Sequence, residues 1–402
     1  MVTFDDILAA RDRLQGHIHR SPLEFTEALS ALTGNRVWLK LENLQRTGSF
    51  KDRGSLNKLL TLTEAERAAG VICASAGNHG QGVASAAQRL GLVATVVMPV
   101  GSPLVKATAC RSFGAEVVLF GTNYDEACGE ARRLATERGL TWVHAFDDPV
   151  VIAGQGTVGL EILEQLPETE AIVVPVGGGG LIGGIALAVK SLNPKVRVYG
   201  VETERVASME AALAAGKIVD VPGGRTLADG IAVRRAGEHT FPLVRDWVDG
   251  IATVDEEEIA SAILTLMERE KTVAEGAGAT PLAALANRKL ALSGRRVVLV
   301  VSGGNIDVNI LSRIIERGLV KDGRLMRMMV RIPDVPGALA KLTTQVAETR
   351  ANIVEIHHQR AFSTAELGET DVELTLETRG PDHIDELRAL LTGAGYRVVP
   401  RA

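Results

Sequence analysis

Short apolar runs rich in β-branched residues recur over the first three quarters of the chain, and stretches with helical spacing separate them. Runs of this kind between helices predict the strands of a parallel sheet covered on both faces. The predicted strands are residues 37–41, 71–74, 94–98, 116–120, 141–144, 171–176, 196–201, 251–254 and 296–301. The pattern therefore predicts an α/β fold.

The start of the chain has helical spacing that Pro22 and Gly34 interrupt. Thr3 and Asp6 have the spacing of a capping box, so the first helix is predicted to begin there and not to be a secretory signal. A second helix is predicted to follow the loop at Pro22 and to end at Gly34. A further helix is predicted from about Asn305 to residue 317.

The pattern changes near residue 318. A polar stretch, 319–325, is predicted to be a linker between a first domain, 1–318, and a second domain, 326–402. In the second domain the predicted strands are 327–332, 352–360, 371–378 and 396–399, with one helix after Pro336 and another lined by Ile384, Leu387, Leu390 and Leu391. This β-α-β-β-α-β order predicts a ferredoxin-like α+β domain.

Composition narrows the classes of function. The chain has 402 residues, of which 46% are hydrophobic, and a net charge of -5. This mild acidity gives no basic footprint for nucleic acid, and no apolar run is long enough to span a membrane. Cys73, Cys110 and Cys128 lack metal-ligand spacing, which indicates reduced thiols in a cytoplasmic protein.

The sequence Ser-Phe-Lys-Asp-Arg-Gly, residues 49–54, lies where a polar loop runs into a predicted amphipathic helix at 52–62. A lysine at such a junction can point into a cleft, where desolvation lowers the pKa of its amine and makes it a nucleophile toward a carbonyl. The alternative is a solvated lysine in a charged first helical turn. Lys51 is thus a candidate catalytic residue.

Four consecutive glycines follow the predicted strand 171–176 and precede a helix. Because glycine lacks a side chain, the backbone N–H groups at this helix start can approach and bind a phosphate. Gly178, Gly180 and Gly183, with Glu202 after the next strand, also fit a dinucleotide fingerprint, so an NAD-dependent dehydrogenase is a rival. Tight packing of helix on strand would explain one or two of the glycines.

Two further motifs follow predicted strands: Ser-Ala-Gly-Asn-His-Gly at 75–80 and Ser-Gly-Gly-Asn at 302–305. The N–H groups of the first motif can bind a carboxylate at a helix N-terminus. The alternative is an ordinary helix cap formed by Ser75 or Asn78. For the second motif the alternative is a common turn at the end of a strand.

Taken in order, these four motifs resemble the threonine ammonia-lyase (threonine dehydratase) family of fold-type-II pyridoxal-phosphate enzymes, to which serine racemase is closely related. The resemblance implies two lobes of the tryptophan synthase β type, the smaller at about 46–148, with the cofactor between them. It implies a regulatory ACT domain at 326–402. It also implies the cofactor-binding residues Phe50, Lys51, Asn78, Gly177, Gly178, Gly179, Gly180, Leu181, Gly230, Glu275 and Ser302.

The resemblance further assigns roles to these residues. Lys51 would hold the cofactor as an imine and remove the α-proton of the substrate. Asn78 would bond the phenolic oxygen of the cofactor, and the Ser302 hydroxyl would face its ring nitrogen, which then stays largely unprotonated. The substrate carboxylate would lie on Ser75, Ala76, Gly77, Asn78 and His79.

The implied reaction is β-elimination of L-threonine to 2-oxobutanoate and ammonia, and also of L-serine to pyruvate. Serine racemases have serine at the position of Ala76, so the resemblance implies little racemisation here. Cysteine synthases differ in the asparagine loop and the phosphate loop. Metal-dependent relatives have a carboxylate matching Glu202, but aspartate in place of Ser208, so a metal site is left open.

The second domain is expected to bind an amino-acid effector, because one of its loops resembles the ligand loop of ACT domains. The loop consists of Asp334, Val335, Pro336, Gly337, Ala338 and Leu339. A packing module without a ligand is the alternative. A catalytically inactive sensor is a further alternative, which the intact Lys51 disfavours. The resemblance also implies a homodimer or homotetramer.

Overall fold

The computed structural model describes residues 2–359 and 365–399, and the chain divides into two compact units, Met1–Ile306 and Asp307–Ala402. The strands of the first unit are β1 (Leu23–Thr26), β2 (Arg36–Leu41), β3 (Val71–Ala74), β4 (Ala94–Met98), β5 (Glu116–Leu119), β6 (Thr141–Trp142), β7 (Ala171–Pro175), β8 (Arg197–Thr203), β9 (Gly250–Val254) and β10 (Arg296–Val301).

The helices of the first unit alternate with these strands. They are α1 (Phe4–Leu14), α2 (Glu27–Thr33), α3 (Lys51–Leu60), α4 (Glu64–Ala69), α5 (Asn78–Leu90), α6 (Leu104–Ser112), α7 (Tyr124–Arg138), α8 (Pro149–Gln165), α9 (Gly180–Leu192), α10 (Ser208–Ala215), α11 (Thr240–Trp247), α12 (Glu256–Glu270) and α13 (Gly276–Ala286). The predicted capping box of Thr3 and Asp6 is present at the start of α1.

Two sheets define two lobes within this unit. The larger has the order β1-β2-β10-β7-β8-β9, and the smaller has the order β5-β4-β3-β6. All neighbours are parallel except β1, which pairs antiparallel with β2. Strands β3, β4 and β7 are buried along their whole length, as expected of parallel strands covered on both faces. The predicted two-lobed α/β fold is confirmed.

The predicted strands of this unit end within two residues of the observed ones, but strand β1 was missed. It has four residues and forms an edge, with Leu23 opposite Lys40 in β2. A segment this short has no alternation long enough to identify a strand, so the pairing with β2 decides its structure.

The second unit contains α14 (Val308–Lys321), β11 (Leu325–Pro333), α15 (Ala338–Glu348), β12 (Asn352–Gln359), β13 (Glu369–Glu377), α16 (Pro381–Gly393) and β14 (Arg397–Val399). After α14 the order is the predicted β-α-β-β-α-β, and the antiparallel sheet has the order β12-β13-β11-β14. Its core includes the fully buried Val330, Leu342, Leu374 and Leu387.

The stretch expected to be a linker, 319–325, holds the end of α14 and the first residue of β11. Arg360, predicted as the last residue of a strand, lies outside the described residues, as do Met1, 361–364 and 400–402. Among the described residues, no helix has the length and apolar character needed to cross a membrane. Cys73 and Cys110 are buried thiols, and burial raises the pKa of both.

Candidate active site

Lys51 is the first residue of helix α3, and its amine donates a hydrogen bond of 2.7 Å to the carbonyl oxygen of Ala145. The Asp52 carboxylate fixes the preceding loop by accepting bonds from the Thr47 N–H (2.9 Å) and hydroxyl (2.6 Å). Burial lowers the pKa of the Lys51 amine to about 8, against the opposing attraction of the Glu275 carboxylate. A substantial fraction of the amine is therefore neutral and nucleophilic near pH 7 to 8.

The loop before Lys51 lies against the end of strand β10. The N–H of Phe50 donates to the carbonyl of Ser302 (3.0 Å), and Ser49 forms an antiparallel bridge with Gly303. The Phe50 ring centroid lies 5.0 Å from the Lys51 nitrogen, and Ser302 is 1% exposed. The structure thus places the lysine motif at 49–54 in contact with the Ser-Gly-Gly-Asn motif at 302–305, and both were expected from the sequence to bind the cofactor.

A polar chain of Asn78, Glu275 and Asn305 joins the two lobes at this point. The Asn78 amide donates to the Glu275 carboxylate (2.7 Å), and the Asn305 amide donates both to Asn78 Oδ1 (2.8 Å) and to the carbonyl of Thr47 (2.7 Å). Glu275 is 4% exposed, and burial raises its pKa to about 7, against the lowering effect of the Asn78 bond. Glu275 stands in the N-cap position of α13, but its side chain makes no capping bond.

The four glycines run from the end of β7 into helix α9. A Cβ atom on Gly178 would lie 2.3 Å from the Phe146 ring, one on Gly180 2.8 Å from the Phe146 carbonyl, and one on Gly177 3.0 Å from the Cα of Ile231. Gly179 has φ +92°, where side chains are strained. Contacts with Phe146 and Ile231, together with the backbone conformation of Gly179, therefore favour glycine at all four positions.

The same glycines also expose backbone donors. Within the described part of the chain, the N–H groups of Gly178, Gly179 and Gly180 have no acceptor, and helix α9 has no side-chain cap. The side chain of Leu181 is buried in the hydrophobic core of the larger lobe. Free N–H groups at the start of a 13-residue helix fit a phosphate.

Helix α5 offers a second uncapped N-terminus. Its N-cap is Gly77, no side chain caps it, and Ser75 instead accepts the Gly77 N–H at 3.1 Å. The alternative of an ordinary cap by Ser75 or Asn78 is therefore not observed. Next to it, Ala76 is half-buried. The His79 ring lies 2.9 Å from the carbonyl of Val143, and burial lowers its pKa to about 3, so it stays neutral.

Gly230 and Glu202 occupy different surroundings. A Cβ atom on Gly230 would lie 3.5 Å from the Glu275 carboxylate, so Gly230 borders the site. The Glu202 carboxylate accepts the N–H groups of Met209 (2.9 Å) and Glu210 (2.8 Å) in the first turn of α10, and burial raises its pKa to about 7. The described residues include no group of three potential metal-ligating side chains.

Sequence reasoning missed three residues of the site: Ala145, which accepts the bond from Lys51; Phe146, which lies under the glycines; and Asn305, which links Asn78 to Thr47. Ala145 and Phe146 lie between β6 and α8 and carry no motif of their own. Asn305 ends the Ser-Gly-Gly-Asn motif, but its partners Thr47 and Asn78 are distant in the sequence. Only the spatial contacts identify them.

A nucleophilic amine and two uncapped helix starts form one site in this arrangement. One helix start suits a phosphate, and the other suits a carboxylate. A cofactor with an aldehyde and a phosphate, together with an amino-acid substrate, fits these groups. The residues present therefore fit pyridoxal phosphate.

Comparisons with known proteins agree with this geometry. The family model described as "Pyridoxal-phosphate dependent enzyme" matches residues 14–303. The chain is 51% identical over 398 residues to an L-threonine ammonia-lyase of Thermotoga maritima, covering 99% of both chains. A solved threonine deaminase, the processed form of isoform 2 from Solanum lycopersicum, has 41% identity and a TM-score of 0.73, covering 78% of this chain and 91% of its own.

A solved serine racemase of Dictyostelium discoideum is also similar, with 36% identity, a TM-score of 0.71, and coverage of 76% of this chain and 99% of its own. The glycine run by itself fits both a phosphate site and a dinucleotide fingerprint. The family match favours pyridoxal phosphate over a dinucleotide as the ligand. The chain belongs to the L-threonine ammonia-lyase family of fold-type-II pyridoxal-phosphate dependent enzymes.

Proposed function

We propose that the protein is an L-threonine ammonia-lyase that converts L-threonine to 2-oxobutanoate and ammonia, and L-serine to pyruvate and ammonia. The observation that carries this proposal is the Lys51 amine, with its pKa lowered to about 8, beside two helix N-termini with free N–H groups. The full-length match to an L-threonine ammonia-lyase supports the choice of substrate.

Pyridoxal phosphate, when bound, supplies the electron sink that stabilises negative charge on the substrate α-carbon. Gly178, Gly179 and Gly180 hold its phosphate through their free N–H groups. Lys51 would hold the cofactor covalently, and its amine, once released, would take the α-proton of the substrate. The buried Ser302 hydroxyl would donate a hydrogen bond to the cofactor ring nitrogen without supplying the negative charge that stabilises a protonated ring.

The start of helix α5 orients the substrate. In the loop 75–79 the N–H groups of Ser75 and Gly77 already have acceptors, so within the described part of the chain those of Ala76, Asn78 and His79 are the ones that would bind the substrate carboxylate. Asn78, held between Glu275 and Asn305, bonds the phenolic oxygen of the cofactor. Elimination removes water and hydrolysis takes it back, so ammonia and the oxo acid are the net products.

The test is a spectrum and an assay. The purified protein should show the visible absorption of covalently attached pyridoxal phosphate, and borohydride reduction followed by peptide mass spectrometry should locate it on Lys51. Oxo-acid formation should be highest with threonine or serine among a panel of amino acids. A folded, colourless protein that does not respond to added cofactor would refute the proposal.

Lys51→Ala tests the role of the Lys51 amine. It should lower threonine turnover by at least about a thousandfold, because both attachment and α-proton removal depend on that amine. Lys195→Ala is the control. Lys195 is exposed and lies just before strand β8, at the end of the strand opposite its carboxyl end. Turnover near the parent rate in Lys51→Ala would show that another group performs the chemistry.

We also infer that the second unit is a regulatory ACT domain and that its loop 334–339 binds isoleucine or valine. The support is the ferredoxin-like order of elements and the N-terminus of α15, which begins at Ala338 within this loop and has no side-chain cap. Strand β12 is an edge that exposes Val354 and Ile356, which favours pairing between copies in a homodimer or homotetramer. We further propose that the enzyme is cytoplasmic. Sedimentation of the full chain tests the oligomeric state.

A further inference from the structure

Helix α8 carries three glycines, Gly154, Gly156 and Gly159, in its interior. Glycine in a helix interior costs about 0.5 to 1 kcal/mol relative to alanine, so three of them within six residues need a reason in packing. The helix is buried from Val151 to Leu160, and its glycines contact three helices: α3 at Gly154, α9 at Gly156 and Gly159, and α1 through the Ile7 side chain at Gly156.

Gly154 contacts the helix that carries Lys51. A Cβ atom on Gly154 would lie 2.8 Å from the Cα of Gly54 and 2.9 Å from the carbonyl oxygen of Arg53. In return, a Cβ atom on Gly54 would lie 2.8 Å from the carbonyl oxygen of Val151. Backbone therefore rests on backbone where α3 crosses α8, three residues after Lys51.

Polar side chains fix the same crossing. The Gln155 side chain, 1% exposed, accepts the N–H of Gly54 (3.2 Å). The Arg53 guanidinium donates to both carboxylate oxygens of Glu161 (2.7 and 2.8 Å), and the Asn57 amide donates to the carbonyl of Val150 (2.7 Å). These bonds set the rotation and the shift of α3 along α8.

Gly156 contacts the helix that begins with the glycine run. A Cβ atom on Gly156 would lie 2.9 Å from the carbonyl oxygen of Gly184, and one on Gly184 would lie 2.6 Å from the carbonyl oxygen of Ile152. A Cβ atom on Gly159 would lie 3.0 Å from the carbonyl oxygen of Ile185. Gly184 is one turn beyond Gly180, whose free N–H belongs to the proposed phosphate site.

We propose that helix α8 is a spacer that sets the distance between the Lys51 amine and the N–H groups that hold the cofactor phosphate. Gly154 is the positioning residue on the lysine side, and Gly156 with Gly184 on the phosphate side. The inference rests on the proposed function. It follows because backbone cannot yield as a flexible side chain does, so an added methyl group must move one helix relative to the other.

Two cofactor analogues separate the two sides. Pyridoxal 5'-phosphate has the aldehyde that Lys51 attacks, whereas pyridoxine 5'-phosphate has the same phosphate and an alcohol in its place. Gly154→Ala should slow covalent attachment of the first by about a hundredfold, because a displacement near 1 Å has an effect of this size, while affinity for the second changes by less than about threefold. Gly184→Ala should weaken both ligands.

The control is Gly129→Ala, in the interior of helix α7, where a Cβ atom meets nothing within 4 Å. It should leave both ligands and the attachment rate unchanged. Gly154→Ala attaching the cofactor at the parent rate would overturn the proposal. The proposal would also be overturned if Gly154→Ala and Gly184→Ala both lowered the affinity for both ligands to the same extent. That result would indicate a general loss of stability.

Two safeguards keep the outcome interpretable. If Gly154→Ala does not fold, Gln155→Met removes the acceptor for the Gly54 N–H while keeping the backbone contact, and it should slow attachment selectively in the same way. Failure of the unmodified protein to attach pyridoxal 5'-phosphate would refute the proposed function, whereas normal attachment by parent and variants alike would refute the spacer alone.

Discussion

The amide of Asn78 donates a hydrogen bond of 2.7 Å to the carboxylate of Glu275, and so joins the first residue of helix α5 in the small lobe to the start of α13 in the large lobe. The bond lies beside Gly303, where a Cβ atom would be 2.4 Å from the same carboxylate oxygen. Glu275 is thus buried among groups that fix its position, and within the described part of the chain no cationic side chain is bonded to it. This relationship has a consequence for stability.

Glu275→Gln should flatten the pH dependence of stability in the cofactor-free protein. Burial raises the pKa of Glu275 to about 7, so the folded state favours its neutral form. The resulting stabilisation is fully present below the unfolded pKa of about 4.3 and is lost as the pH rises through about 7, a change of about 4 kcal/mol in the free energy of unfolding. Urea unfolding at several pH values between 5 and 8 measures it.

Relative to Glu275→Gln, the parent should therefore lose unfolding free energy as the pH rises. Glu64→Gln, an exposed residue in the first turn of α4, is the control and should follow the parent. A difference between Glu275→Gln and the parent that stays constant from pH 5 to 8 would show that Glu275 ionises normally.

The rate at which Lys51 attaches pyridoxal phosphate should rise with pH through about 8. Only the neutral amine attacks, and burial lowers its pKa to that value. For a lysine with an ordinary pKa, the midpoint of this rise in rate would lie at about pH 10.4. Borohydride trapping at fixed times, with mass spectrometry of the peptide that contains Lys51, measures the rate.

The attachment rate of Nα-acetyl-lysine, whose ε-amine is free, is measured in the same buffers. It corrects the pH profile of Lys51 for ionisation of the cofactor itself. In Glu275→Gln the midpoint should move to lower pH, because the attraction that raises the Lys51 pKa is removed. A corrected midpoint near that of acetyl-lysine would contradict the burial of the amine.

Ala76→Ser should raise the ratio of D-serine to pyruvate formed from L-serine. Racemisation needs a proton donor on the face of the α-carbon opposite Lys51, and the methyl group of Ala76 can neither donate nor accept one. The unmodified protein should therefore form pyruvate with little D-serine. Chiral chromatography of the products measures the ratio.

Ala135→Ser, a half-buried position in helix α7, is the matched control and should not change the ratio. If Ala76 is only a small residue that lets the loop approach the substrate, Ala76→Ser will lose activity at a constant ratio. Abundant D-serine from the unmodified protein would refute the assignment.

Gly337→Ala should weaken binding of isoleucine or valine to the full-length protein by at least about tenfold, or 1.4 kcal/mol. Gly337 is the N-cap of α15 within the loop 334–339, and a side chain there would hinder the approach of a ligand to the backbone. Calorimetry measures the affinity.

Gly395→Ala is matched to this variant, because both glycines have φ +87° and open space around the Cβ position. Both substitutions should lower the melting temperature alike, but only Gly337→Ala should affect binding. If the full-length protein binds neither amino acid, the effector proposal is refuted. Equal losses of affinity in both variants would place the ligand away from this loop.

The sequence by itself determined the elements and the chemistry of single residues. Apolar β-branched runs such as that of β7 specify buried parallel strands, because residues covered on both faces cannot be polar. The spacing of Thr3 and Asp6 specified a helix start, since both bonds of the box are local. Lys51 and the glycine run stood out for the same reason: a side-chain amine, and backbone N–H groups that no side chain shields, can be recognised from the residue types alone.

Tertiary structure decided everything that depends on residues distant in the chain. Strand β1 exists because β2 pairs with it, and the roles of Ala145, Phe146 and Asn305 appear only where three segments meet. The glycines of α8 weaken a helix in isolation, and only the close approach of α3 and α9 explains them. Likewise, the pKa values of Lys51 and Glu275 depend on burial, a property that the folded chain creates and that no local pattern encodes.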